Sequence, residues 1–237
     1  MPRKKRGWEP GACYHITHRC NGQEFLFRFQ KYRNFYVLHL FKASRRYGMD
    51  VLDYIVTCNH VHLLVTARKG AEISEALRYL HGAVGQFHNL QRKKSGAFWN
   101  DRYHATRIQD GGHLSRCLLY IDLNMVRAGV VSHPSEWTHS AWNELSGTRE
   151  RCRIVNQGRL LECLRMGNMD QFTQWHRQAI ERKLRVADLR REAFWSLAAA
   201  VGEAGWLGQL AKKRRLKRHE IVEGEGFSYL RGTGGWE

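Results

Sequence analysis

The stretch from Val51 to Thr66 reads VLDYIVTCNHVHLLVT and holds two runs of β-branched and apolar residues. Cys58 and Asn59 separate the runs, so the stretch predicts two strands, at 51–57 and 61–66. Two further alternating stretches, at 13–17 and 105–108, predict one strand before this pair and one after it.

Amphipathic stretches lie between and after these strands. Apolar residues recur at helical spacing over 30–47, about 74–92 and 114–127, and Gly129 stands where a left-handed helix cap is expected. Helical patterns continue at about 157–166, 170–190, 192–201 and 203–217. This order predicts an α/β (α+β) core followed by a helical C-terminal extension.

The chain is strongly basic and is composed like a globular protein. Lys and Arg number 39 against 22 Asp and Glu in 237 residues, which gives a net charge of +17. Such a charge favours a polyanionic partner. The longest apolar runs fall far below the ~18 residues of a membrane span, and the basic start lacks the apolar segment of a secretory signal. We therefore expect a cytoplasmic protein with reduced cysteines and no membrane partner.

Two histidines stand out in the second of the central strands. Side chains at i and i+2 share one face of a strand, so His60 and His62 lie about 6 to 7 Å apart along the same face. Two imidazoles placed in this way can share a metal ion. The alternative is a pair of ordinary histidines with local partners. Leu64 at the next alternate position argues against a hydrolase that uses a histidine triplet.

The predicted helix 114–127 has an apolar stripe and a second, polar face. That second face carries Arg116, Tyr120, Asn124 and Arg127, and Tyr120 and Asn124 are about 40° apart and one turn along. A phenol can act as a nucleophile, an amide oxygen can ligate a hard cation, and arginine binds phosphate. The alternative is a half-buried tyrosine on an otherwise solvated helix face.

Four stretches together resemble the single-tyrosine HUH transposases, and most closely the REP-associated tyrosine transposases. They are CYHITHR (13–19), NHVHLLV (59–65), GAFWNDRY (96–103) and YIDLNMVRAGVV (120–131). The resemblance covers roughly residues 12–145, which leaves a basic arm at 1–11 and a helical basic extension at 146–237. Met125 stands where family members often have proline, and Cys20 where glycine is usual.

The resemblance implies a fold and a chemistry. The core would be a ferredoxin-like sandwich with an antiparallel sheet. His60, His62 and Asn124 would ligate a divalent cation, Mg²⁺ or Mn²⁺, and Tyr120 would attack DNA to form a covalent 5′-phosphotyrosine. The substrate would be single-stranded DNA beside hairpins such as REP-like elements. Whether such a protein acts as a monomer or a homodimer stays open.

Basic residues near these motifs and at both ends of the chain are candidates for DNA binding. Aromatic rings among them would stack on bases while the cations follow phosphates. The alternative for the dense run after 211 is a solubilising helix end. The candidates are Arg3, Lys4, Lys5, Arg6, Arg19, Arg102, Arg116, Arg127, Lys212, Lys213, Arg214 and Arg215.

Three other functions compete with the nuclease. A transposase-derived regulator would grip hairpins without cutting them. A metal-dependent phosphohydrolase would use an activated water and would not need Tyr120. A transposase with three catalytic carboxylates would need converging acidic residues, and the acids of this chain show no such spacing.

Overall fold

The structure is a computed structural model, and it describes residues 6–93, 95–148, 152–186, 189–216, 219–224 and 226–232. Arg3, Lys4 and Lys5 of the expected basic arm lie outside these residues. The elements in chain order are β1 (Cys13–Arg19), α1 (Gln30–Tyr47), β2 (Met49–Val56), β3 (His60–Ala67), α2 (Ala71–Arg92), β4 (His104–Ile108), α3 (Gly112–Asp122), α4 (Asn124–Arg127), α5 (Trp142–Leu145), α6 (Gln157–Leu164), α7 (Met169–Arg185), α8 (Phe194–Leu197), β5 (Ala200–Gly202), α9 (Ala204–Lys213), β6 (His219–Gly224) and β7 (Phe227–Gly232).

The first four strands form a ferredoxin-like core. Their order in the sheet is β2-β3-β1-β4, and each neighbouring pair is antiparallel. His18 of β1 contacts His81 of α2, which in turn contacts Tyr36 of α1, whereas His15 contacts the ring of Tyr120 in α3. Because residues three apart on a strand point to opposite faces, α1 and α2 cover one face and α3 covers the other. The expected fold is confirmed.

The predicted helix 114–127 is divided into α3 and α4. The backbone of Leu123 has a ψ of 6°, away from the helical value of about −42°, so that Asn124 begins a new turn. Gly129 closes the segment with a φ of 68°, and the amide of Val130 donates to the carbonyl of Met125 at 3.0 Å. The left-handed cap expected at Gly129 is present.

The C-terminal extension contains helices and also three strands that enlarge the sheet. The full sheet order is β2-β3-β1-β4-β5-β7-β6, and β5 runs parallel to β4 while β7 and β6 are antiparallel to their neighbours. The helix expected over 192–201 is wrong at its end, because α8 stops at Leu197 and Ala200–Gly202 is a strand. A three-residue strand is too short to show a periodic pattern.

Close packing holds this added strand against α9. A Cβ atom at Gly202 would lie 2.5 Å from the ring of Trp206 and 2.6 Å from the side chain of Gln109, so no larger residue fits there. Trp195, which precedes β5, is fully buried in the main hydrophobic core with Tyr36 and Tyr54. The residues after 145 therefore share both the sheet and the core of the preceding part. No helix among the described residues is long and apolar enough to cross a membrane.

Candidate active site between the central strands and the tyrosine helix

His60 and His62 lie on the sheet face covered by α3. Their ring centroids are 4.9 Å apart, and the ring planes are almost perpendicular at 83°. On the neighbouring strand β1, Arg19 lies opposite His60 and Thr17 lies opposite His62. Alternation along β3 thus brings two imidazoles together in the middle of the sheet, beside a basic residue.

Tyr120 and Asn124 approach the histidines from the helical side. The Nδ2 atom of Asn124 is 3.1 Å from Nε2 of His62, and the rings of Tyr120 and His62 are 6.1 Å apart with an interplanar angle of 87°. Tyr120 is 8% exposed, so that its ring is packed but not sealed from solvent. The structure brings together all four residues that the sequence singled out.

The hydrogen bonds of His60 define which ring nitrogen is available. Nδ1 of His60 lies 2.7 Å from Oδ1 of Asn59 and 3.0 Å from Oγ1 of Thr57. The hydroxyl of Thr57 already donates to the backbone carbonyl of His60 at 2.8 Å, and Oδ1 of Asn59 can only accept. Nδ1 of His60 is therefore the protonated nitrogen, and the lone pair of the neutral ring is on Nε2.

His62 reaches the same state through a second histidine. Its Nδ1 atom is 2.8 Å from Nε2 of His15, and Nδ1 of His15 is 2.8 Å from the backbone carbonyl of Trp195. A carbonyl can only accept, so Nδ1 of His15 donates to it, and the neutral His15 ring accepts the Nδ1 proton of His62. The lone pair of His62 is then also on Nε2, the atom that faces Asn124.

Burial keeps these rings neutral. Desolvation lowers the pKa of His60 to about 3, and the positive charges of Arg19, Arg191 and Arg127 add to the effect. Desolvation also holds the pKa of His62 well below its usual range, and it lowers the pKa of His15 to about 4. A neutral imidazole is the form that binds a metal ion. The donor set of two Nε2 lone pairs and one amide therefore fits a divalent cation.

Arg127 is in direct contact with the tyrosine. Its guanidinium carbon is 4.1 Å from the centroid of the Tyr120 ring, and its Nη2 donates to the Tyr120 backbone carbonyl at 2.8 Å. Burial lowers the pKa of this guanidinium, which remains charged at neutral pH because the ordinary value is 12.5. A fixed positive charge thus lies beside the candidate nucleophile.

A basic groove begins at Tyr120 and continues over the C-terminal strands. A small cleft beside Tyr120 and Arg127 shares Arg116, Arg190 and Glu192 with a larger groove of about 580 Å³. The larger groove is lined by the aromatic rings of Phe194, Phe227 and Tyr229 among arginines. Phe194 and Phe227 are stacked with centroids 4.4 Å apart. Arg116 connects the two parts, because its guanidinium carbon lies 4.6 Å from the Phe227 ring centroid.

The other predicted DNA-binding residues are dispersed. Arg6 and Arg102 are half-buried near Tyr103, and the pKa of Arg6 is lowered by burial and then by the charge of Arg102. Lys213 and Arg214 both pair with Glu9, at 3.4 and 3.3 Å. Arg214 is half-buried in this contact, whereas Lys212, Lys213 and Arg215 are exposed.

Sequence reasoning missed His15 and Trp195 as parts of the site. His15 belongs to the stretch CYHITHR, whose alternation places it on the same face of β1 as Thr17 and Arg19. That alternation was a usable signal for His15. No sequence pattern could indicate the Trp195 carbonyl, because it is a backbone group 180 positions from His15.

Comparison with known proteins finds one matching family model. Residues 10–124 match the family model described as transposase IS200 like, and this span contains His60, His62, Tyr120 and Asn124. Over this span the chain is similar to the IS200-like transposases.

Two solved structures are similar to the chain. One, described as a REP-associated tyrosine transposase bound to a REP hairpin, is 18% identical with a TM-score of 0.50, over 62% of this chain and 86% of that one. It shares the fold. The other is a crystal structure of a candidate transposase from Deinococcus radiodurans R1, 19% identical with a TM-score of 0.35, over 44% of this chain and 84% of that one. No curated protein sequence matches this chain.

Proposed function

We propose that this protein is a metal-dependent endonuclease and strand transferase that cuts single-stranded DNA beside hairpins through a covalent 5′-phosphotyrosine. The observation that carries the proposal is the meeting of Tyr120 and Asn124 with His60 and His62, whose tautomers leave both Nε2 lone pairs available. The match of residues 10–124 to the IS200-like family model and the likeness in fold to a transposase bound to a REP hairpin support it.

The proposed ligands are Nε2 of His60, Nε2 of His62 and the amide oxygen of Asn124. A bound Mg²⁺ or Mn²⁺ would supply charge neutralisation at a phosphate oxygen. The amide of Asn124 presents Nδ2 to His62 in the structure, and a half-turn of the amide exchanges its nitrogen and oxygen.

Tyr120 performs the covalent step. Its phenolic oxygen bonds to phosphorus, the bond from phosphorus to the 3′ oxygen breaks, and the phenolic proton passes to water while the leaving oxygen takes a proton as a 3′ hydroxyl. The new phosphodiester to Tyr120 retains the bond energy, so a 3′ hydroxyl of another strand can reverse the step and join DNA. Arg127 holds the ring and contributes positive charge next to the reacting phosphate.

The groove supports a single-stranded substrate. Unpaired bases can stack on rings such as Phe227 and Tyr229 while arginines follow the backbone, and a duplex hides its base faces. The net charge of +17 provides the longer-range attraction for a hairpin stem.

The test uses single-stranded oligonucleotides from the flanks of the protein's own gene, with and without a predicted hairpin, in Mg²⁺ or Mn²⁺. We expect a covalent protein–DNA adduct that survives denaturation, depends on the hairpin and is suppressed by a chelator. Hairpin binding with no adduct in either metal would reject the enzyme and leave a hairpin-binding regulator. Turnover of small phosphodiesters without any adduct would instead indicate a water-using phosphohydrolase.

A further inference from the structure

We propose that His15 is a positioning residue that holds His62 in its ligand tautomer, anchored by the backbone carbonyl of Trp195. This inference rests on the proposed ligand role of His62. Two hydrogen bonds in series connect these groups. Nδ1 of His62 donates to Nε2 of His15, and Nδ1 of His15 donates to the Trp195 carbonyl, each at 2.8 Å. The direction is fixed at the carbonyl, which has no proton to give.

This hydrogen-bonded series is rigid because His62, His15 and Trp195 are all buried. His15 is fully buried and His62 is 3% exposed, and their rings lie edge to edge and nearly coplanar, with centroids 4.9 Å apart and an interplanar angle of 15°. A group that accepts a hydrogen bond from the second nitrogen of a metal-binding histidine orients that ring and raises its basicity.

The anchor belongs to the C-terminal part of the chain. Oγ1 of Thr106 donates to the Trp195 carbonyl at 3.0 Å, and the indole nitrogen of Trp195 donates to Glu192 at 2.7 Å. Trp195 itself is fully buried. The segment before β5 therefore completes the support of a side chain on β3, which gives this part of the extension a role in the active site.

His60 provides an internal contrast. Its Nδ1 is held by Asn59 and Thr57, which are one and three residues away, so its support is local. Nδ1 of His62 is instead held by His15, which is 47 positions away. His15 in turn is held by the carbonyl of Trp195, which is 180 positions from His15. Changes at His15 are therefore expected to affect His62 and to leave the tautomer of His60 intact.

The first test needs no variant. Nitrogen NMR of the histidine rings in the wild-type protein reports which nitrogen is protonated, and we expect Nδ1 to carry the proton in both His15 and His62. Finding the proton of His62 on Nε2 would overturn the proposal.

The second test compares His15→Gln with His15→Leu. A glutamine can accept from His62 through its oxygen and donate to Trp195 through its nitrogen, whereas leucine fills similar space and can do neither. We expect His15→Leu to weaken Mn²⁺ binding by roughly 10- to 100-fold and to mix the His62 tautomers, and His15→Gln to remain near wild type. Equal Mn²⁺ affinity in a folded His15→Leu protein would reject the role of His15. Failure of wild-type protein to bind Mn²⁺ would instead reject the proposed metal site.

A separate cluster carries a second inference. We infer that Cys13, Asp110 and Cys163 bind a thiophilic divalent cation such as Zn²⁺. One ligand atom from each residue lies within 4.8 Å of the other two, a spacing compatible with a shared ion. Both thiols are buried and the carboxylate is exposed, which leaves one side open to water.

This cluster joins three distant segments. Cys13 begins β1, Asp110 follows β4, and Cys163 is on α6. The backbone amide of Gly111, next to Asp110, donates to the backbone carbonyl of Cys163 at 2.9 Å. Arg159, on the same helix as Cys163, donates to the carbonyl of Gly11 at 3.0 Å and pairs with Glu162 at 2.7 Å. Binding would release the two thiol protons and would tie α6 to the sheet.

Cobalt is the probe, because thiolate ligation gives Co²⁺ a charge-transfer absorption that histidine and amide ligands lack. We expect one such site in the reduced full-length protein, lost in Cys13→Ser and in Cys163→Ser but retained in Cys117→Ser and in the double variant His60→Ala, His62→Ala. If the serine variants fail to fold, Asp110→Asn at the exposed ligand is expected to weaken Co²⁺ binding. No thiolate absorption, or a Cys13–Cys163 disulfide in protein purified under reducing conditions, would overturn this site without affecting the proposed nuclease.

Discussion

Asn124 and His62 are 62 positions apart in the chain, yet the amide nitrogen of Asn124 lies 3.1 Å from Nε2 of His62. This contact joins the helical pair α3–α4 to the central strand β3. It places Tyr120, one turn earlier, with its ring 6.1 Å from that of His62. The relationship makes the proposed metal site and the proposed nucleophile a single unit.

Alanine at both His60 and His62 is expected to abolish adduct formation while hairpin affinity changes less than about threefold, because the basic groove is untouched. Gel shift and adduct assays on the same protein measure both quantities. His139→Ala, at a histidine held by Asn34 outside the site, is the matched control. Adduct formation that persists in the double variant would place the metal site elsewhere.

Stability is expected to fall as the solution is acidified below pH 6.5. Burial lowers the folded-state pKa of His18 to about 4 and holds that of His81 well below the ordinary 6.5. Below pH 6.5 the unfolded chain therefore binds more protons than the folded one, and each such histidine costs roughly 1.4 kcal/mol per pH unit until its folded pKa is reached.

Urea unfolding at pH 7.0, 6.0 and 5.0 measures this loss. The slope should correspond to an uptake of more than one proton on unfolding. A free energy of unfolding that is constant over this range would show that these rings do not stay neutral in the folded protein.

The exposed cations at the end of α9 are expected to contribute to DNA binding through phosphates. Replacing Lys212 and Arg215 by glutamine should lower affinity and reduce the salt slope by about 0.7 to 0.9 for each lost phosphate contact. Arg214→Gln is the comparison, because Arg214 is half-buried in its pairing with Glu9. An unchanged salt slope in the double variant would assign these residues to solubility alone.

The sequence was sufficient for the first half of the fold and for predicting that His60, His62, Tyr120 and Asn124 lie close together. The runs around Cys58–Asn59 predicted β2 and β3, and the i, i+2 spacing of His60 and His62 put them on one face. The one-turn spacing of Tyr120 and Asn124 likewise survives the break at Leu123. Local periodicity determines these features, so they can be found without tertiary information.

The rest depends on contacts between distant segments. β5 has three residues and pairs with β4 in parallel, and its place follows from the packing of Trp206 on Gly202. The pairing of Arg214, a predicted DNA-binding residue, with Glu9 spans 205 positions. A charge run in sequence cannot show which of its members are already paired.

The most direct measurement of the central claim is the identity of the residue that carries DNA after cleavage. Protease digestion of the adduct followed by mass spectrometry should find a nucleotide 5′-phosphate on Tyr120, and Tyr120→Phe should yield no adduct while Tyr79→Phe behaves as wild type. A nucleotide on any other residue, or an adduct that persists in Tyr120→Phe, would contradict the account.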